Sequence, residues 1–269
     1  MRRRLRTFGI VLVALGLSIV AAVAEVPAIA QREKAEKRTF TDAEISDGFM
    51  KTAFGAEYQL AGHVDRIRKY HKPVRVFVGG VAHPDRRKQL ADVVADIDKH
   101  IPNVDIAMTS KRGNANVFVT FVRDRNLDGF LRRFYGNKHA REIRDKLNPQ
   151  CLSGFRKDRH YQIEHSEVVL TVDKGDFIFL DCAYEELLQS LGPINDTSSV
   201  PWTMFNDNVS MGFFDIYDQY LMNILYDPRI RAGMSMKDVR PVLPKILPDV
   251  RAIIARLNDL PEAAAASSR

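Results

Sequence analysis

Residues 185–196 read EELLQSLGPIND, a helix end running into a Gly-Pro break. Glu185 and Gln189 stand one helical turn apart, and Glu186 follows Glu185 directly. Each residue turns a helix by about 100°, so Asp181 and Gln189 flank Glu185 at about 40° on either side, and Glu186 stands about 100° away. Phe177, Leu180, Tyr184, Leu187, Leu188 and Leu191 gather on the opposite arc, the expected buried face. An ordinary solvated helix face mixes both signs of charge, but this helix has no lysine or arginine. Ile178 and Cys182 share the polar side, so that side is expected to be partly covered. Carboxylates crowded there repel one another, which raises their pKa values. Three chemistries fit this pattern. Glu185, Gln189, Asn195 and Asp196 could supply oxygen ligands to a hard cation such as Ca²⁺. Glu185 and Glu186 could act as an acid/base pair, as two carboxylates do in glycosidases. Or the face is merely a solvated, hydrogen-bonded cluster.

The spacing also resembles a known zinc motif. In H-E-x-x-H two histidines one turn apart hold zinc and the intervening glutamate is the general base. The longer metzincin form adds a glycine turn and a third histidine. Here Glu185 and Gln189 occupy the histidine positions and Glu186 the base position. Gly192 falls at the turn and Asn195 at the third ligand, while Thr203-Met204-Phe205 resembles the methionine turn. The resemblance implies a zincin-like frame that has lost its zinc ligands, with Glu186 as a remnant base. Zinc favours imidazole and thiolate, so zinc is not expected, whereas Ca²⁺ suits the oxygen donors.

A second resemblance covers roughly residues 45–245. DCAYEELLQSLGPIND, MFND and LYDPRIRAGMS together resemble a proteobacterial family of exported proteins, domain-of-unknown-function family 2927. It implies an exported, often envelope-associated protein, and carries over no catalytic residues.

The elements that must position these residues follow from periodicity. Thr41-Asp42 is expected to cap a helix running to about Tyr58. VRVFVGG after Pro73 predicts a strand, Pro84 to His100 a helix, and 104–108, 115–122 and 167–172 strands. The basic run 123–159 reads as an irregular insertion with a helix near 138–147, either an anion-binding patch or a solvated face. Helices are expected over about 213–225 and 236–257. The result is one α+β domain: a mixed sheet first, a helical half second, zincin-like, over residues 42–257.

Residues 1–30 read as a signal peptide. Four arginines precede an apolar run from Phe8 to Ala24, and Ala28-Ile29-Ala30 is an A-x-A cleavage site. Uncleaved, the run would be a membrane anchor. Residues 31–41 are expected to be a flexible lead-in and 258–269 a disordered tail. Removing four arginines and Glu25 lowers the net charge from +6 to +3, too mild to argue for nucleic acid. A periplasmic or secreted location makes Cys151 and Cys182 a disulfide pair. The partner is expected to be an envelope component of unspecified kind. The seven histidines lack ligand spacing, no serine sits in G-x-S-x-G, and no cofactor fingerprint is present. Intact-mass analysis of exported protein is expected to show a chain beginning at Gln31; retention of residues 1–30 would indicate an anchor.

Overall fold

The computed structural model describes residues 28–55, 65–147, 150–193 and 195–261. The apolar run 8–24 lies outside them, and among the described residues no helix is long and apolar enough to cross a membrane. Helix α1 spans residues 28–35. There follow α2 (Asp42–Ala53), β1 (Val74–Gly79), α3 (Arg87–His100), β2 (Ile106–Met108), β3 (Val117–Val122) and α4 (Asp124–Leu147). Then come β4 (Cys151–Lys157), β5 (Ile163–Thr171), α5 (Asp176–Ser190), α6 (Ile216–Tyr226), α7 (Met236–Val239) and α8 (Leu243–Leu257).

The sheet has five strands in the order β2-β1-β3-β5-β4. β1 pairs in parallel with β2 and β3, and β3 with β5, while β4 runs antiparallel to β5 at the edge. This is the expected α+β domain with a mixed sheet. Alternation assigns the strand faces. Val117, Val119, Val168 and Leu170 point into the main core, which continues into the helical half through Leu187, Tyr217 and Ile246. Val122, Leu152 and Val169 point the other way, onto Leu127, Leu131 and Ile143 of α4. α3 and α5 therefore cover one face and α4 the other.

The helix starts are chemically marked. Thr41 and Glu44 form a capping box at the head of α2. Asp215 caps α6 by accepting from Asp218 N at 3.0 Å. Residues 31–41, expected to be a loose lead-in, instead dock on the body. Phe40 is buried, Lys37 stands 3.8 Å over the Trp202 ring, and Glu36 accepts from Ile216 N at 2.5 Å. The orphan amides at the head of α6 give that carboxylate a reason to be there.

An extended stretch, residues 65–70, stitches the two halves. Ile67 exchanges backbone bonds with Met234 and Gly233, and Ile163 N donates to Lys69 O. The side chains of two consecutive residues then cap two helix ends. Arg68 donates to Gly55 O at 2.8 Å behind α2, and Lys69 donates to Leu225 O at 2.7 Å and Ile230 O at 2.9 Å behind α6.

Cys151, the first residue of β4, is bonded to Cys182 in the middle of α5, with Cα atoms 5.8 Å apart. The bond fixes the edge strand across α5. Closing a loop of 31 residues stabilises by about 3–4 kcal/mol in the chain-entropy description. Changing both cysteines to serine is expected to lower the urea unfolding free energy by about that amount, with the fold retained by circular dichroism.

Candidate functional site

Helix α5 is buried more evenly than its sequence suggests. Phe179, Cys182, Ala183, Leu187 and Leu188 are buried, and so are Glu186, Gln189 and Ser190. Phe177, Leu180 and Tyr184, assigned to the inner arc, are only half-buried. The helix lies between the sheet and the chain that follows it, so both of its sides meet protein.

The polar stripe Asp181–Glu185–Gln189 faces the loop of residues 195–214. Asp181 Oδ1 accepts from Met211 N at 2.6 Å and Gly212 N at 2.9 Å. Gln189 Nε2 donates to Asp196 Oδ1 at 2.8 Å, and its Oε1 accepts from Ser153 Oγ of β4 at 3.3 Å. Between these two anchors, one carboxylate oxygen from each of Glu185, Asp196 and Asp207 lies within 4.8 Å of the others. Glu185 and Asp196 are half-buried and Asp207 is exposed, so the group opens to solvent on one side.

The opposite side of the loop is fixed by α6. Asp218 accepts from Thr203 Oγ and from Met204 N, the latter at 2.7 Å, and Asn206 Nδ2 donates to Val200 O at 2.9 Å. Met204 is buried in the main core. The loop is thus held by carboxylates from two helices.

Glu185, Gln189 and Asp196, assigned together from sequence, do come together. Asn195 does not join them: its Nδ2 donates to Lys51 O at 2.7 Å, at the end of α2. The last carbonyls of a helix lack intrahelical donors, and Lys51 O is one of these. Gly192 explains the chain path. It adopts φ 145°, and a Cβ there would stand 2.3 Å from Arg68 O. The chain leaves α5 pressed against the 65–70 stretch and heads for α2 rather than doubling back. Glu186 is 5 % exposed and stands outside the carboxylate group, with Asp207 in its stead. Asp207 lies in an irregular loop, where no spacing marks it; the only signal was its place in the MFND signature.

Burial raises the Glu185 carboxyl well above the ordinary range, and the nearby Glu186, Asp196, Asp181 and Asp207 push it further. Burial also raises Asp181, against the pull of its two amide donors. Among the described residues this is the one group of three or more potential metal-ligating side chains, and none of its members is a histidine or cysteine.

The sequence model described as "Protein of unknown function (DUF2927)" matches residues 42–245, from the head of α2 into α8. The chain belongs to the DUF2927 family. The DUF2927 match contains α5, its covering loop and the stretch LYDPRIRAGMS. No curated protein and no solved structure matches the chain.

Two outcomes are expected. Gly192→Ala should lose about 2–4 kcal/mol in chemical unfolding, because its backbone angle and its contact with Arg68 both exclude a side chain. Glu185 has a folded pKa above its unfolded one. Its contribution is complete below the ordinary carboxylate range and is lost as pH rises through the raised value. Glu185→Gln, melted in chelator, should therefore exceed wild type by several degrees at pH 8, and the gap should close near pH 4.

Proposed function

We propose that this chain is an exported, envelope-located binding protein. In this reading it has a zincin-like frame and no zinc peptidase activity, and its α5 face takes a hard divalent cation, Ca²⁺. The observation that carries the reading is the divergence of the three zinc-ligand positions. Glu185 meets Asp196 and Asp207, Gln189 is held between Ser153 and Asp196, and Asn195 is turned away to Lys51 O. A zinc site needs three imidazoles or thiolates converging with one position open; here the donors are oxygens and one of the three points elsewhere. Carboxylate oxygens with a solvent-open side suit Ca²⁺, which completes its shell with water.

The burial of Glu186 also speaks against the alternative, a hydrolase working through Glu185 and Glu186. Two carboxylates flanking a scissile bond must both reach the substrate. In the proposed role, a bound cation would neutralise the Glu185–Asp196–Asp207 group and tighten the 195–214 loop, the part of the surface a partner would read.

The test is a pair of melting curves, in Ca²⁺ and in chelator. Ligand at about one hundred times its Kd stabilises by about 2.7 kcal/mol. Wild type is expected to gain on Ca²⁺ addition, and Glu185→Gln and Asp207→Asn to gain much less. Stoichiometric zinc in the purified protein, or peptidase activity lost with Glu186→Gln, would overturn the reading. So would equal melting of wild type with and without Ca²⁺.

A further inference from the structure

The stretch LYDPRIRAGMS holds two arginines two residues apart, and the fold uses them differently. Arg229 is structural: it pairs with Asp227 at 2.6 Å and Asp249 at 2.7 Å and donates to Lys245 O. Arg231 is exposed and, among the described residues, makes no ion pair. It lines an open cavity of about 790 Å³ between the β4–β5 turn and the start of α7.

The other walls of that cavity carry more cations. Arg159 and Lys237 are exposed and likewise make no ion pair among the described residues. His160 stands beside Arg159, whose Nε donates to it at 3.1 Å. The carboxylate on the lining, Asp238, is engaged in the capping box of α7, accepting from Ser235 N and Oγ at 2.9 and 2.6 Å. Tyr161 and Met234 also line the cavity, and Lys157 Nζ stands 4.1 Å over the Tyr161 ring.

The turn that presents Arg159 and His160 is rigidly built. Asp158 Oδ1 accepts from His160 N at 2.7 Å and Gln162 N at 2.9 Å, and Tyr161 takes φ 65°. Gly233, on the opposite wall, takes φ 84°, a backbone conformation that favours glycine. Exposed cations that make no ion pair among the described residues, beside apolar side chains, form a receptor for an oxyanion attached to an apolar body.

We propose that this cavity binds a phosphate ester, with Arg231, Arg159 and Lys237 on the phosphate and Tyr161 and Met234 against the organic part. A phosphate dianion balances several cations at once and accepts from each. The site shares no residue with the α5 carboxylate group, so it stands or falls independently of the proposed Ca²⁺ function.

Two probes separate the sources of such an ester. Phenyl phosphate, titrated calorimetrically, represents a soluble ester. Phosphatidylcholine vesicles doped with phosphatidic acid, against undoped vesicles in a flotation assay, represent a lipid headgroup. Saturable binding of either probe is expected, weakened about tenfold or more in Arg231→Gln and in Lys237→Gln. Arg112→Gln, on the far side of the sheet, is expected to bind as wild type does. Both substituted side chains are exposed, and unchanged melting temperatures will show that the variants fold. Binding of the soluble probe alone would assign a soluble ester, and binding of the doped vesicles alone a lipid headgroup. Saturation by neither probe would overturn the proposal, as would binding that Arg231→Gln leaves unchanged.

Discussion

The architecture around the candidate site depends on a row of acidic and amide side chains that meets protein instead of water. Asp181, Glu185 and Gln189 occupy successive turns of α5 and receive the 195–214 loop. Buried polar groups cost free energy unless paired, so such a row specifies what lies on it. Asp181 is satisfied by two amides of the loop, and Gln189 by Asp196 and Ser153. Glu185, between them, is left with carboxylates for neighbours. That residual repulsion is the feature of the helix that packing alone does not explain, and it is the basis of the proposed cation binding.

The rest of the fold holds this arrangement in place. The disulfide fixes β4 across α5, which brings Ser153 to Gln189. Gly192 allows the chain to leave α5 against Arg68 O. Tyr226 donates to Leu191 O at 2.8 Å and accepts from Tyr70 N at 3.2 Å, so α6, the end of α5 and the 65–70 stretch share one hydroxyl. Arg68 and Lys69, neighbours in sequence, close the ends of helices α2 and α6.

Much of this was legible in the sequence because the central strands and helices alternate cleanly. β1 and β3 are rich in Val and Phe and β5 carries Val-Val-Leu, and each lies within a few residues of its expected span, as do α3 and α6. β4 was missed. CLSGFRK mixes a glycine, a serine and two cations because an edge strand with one covered end needs no strict alternation. α4 was read as largely irregular because Gly129, Gly136 and interleaved charges blur its period; its backbone indeed leaves helical geometry at Gly136. Within the site, helical spacing puts Glu185 and Gln189 on one stripe of α5, where the structure has them. It could not follow the chain past Gly192-Pro193, where direction is set by a contact with a residue more than a hundred positions earlier. So Asn195 was misplaced and Asp207 went unassigned.

The chemistry follows from which atoms converge. The proposed preference for a hydrated hard cation over zinc rests on a donor set of oxygens alone, one of them exposed. The most direct measurement is a carbon-13 NMR titration of the Glu185 side-chain carboxyl, assigned by comparison with Glu185→Gln. In chelator it is expected to titrate well above the ordinary glutamate range, and to fall on addition of Ca²⁺. Titration at the ordinary value, unmoved by Ca²⁺, would show a solvated carboxylate and contradict the account.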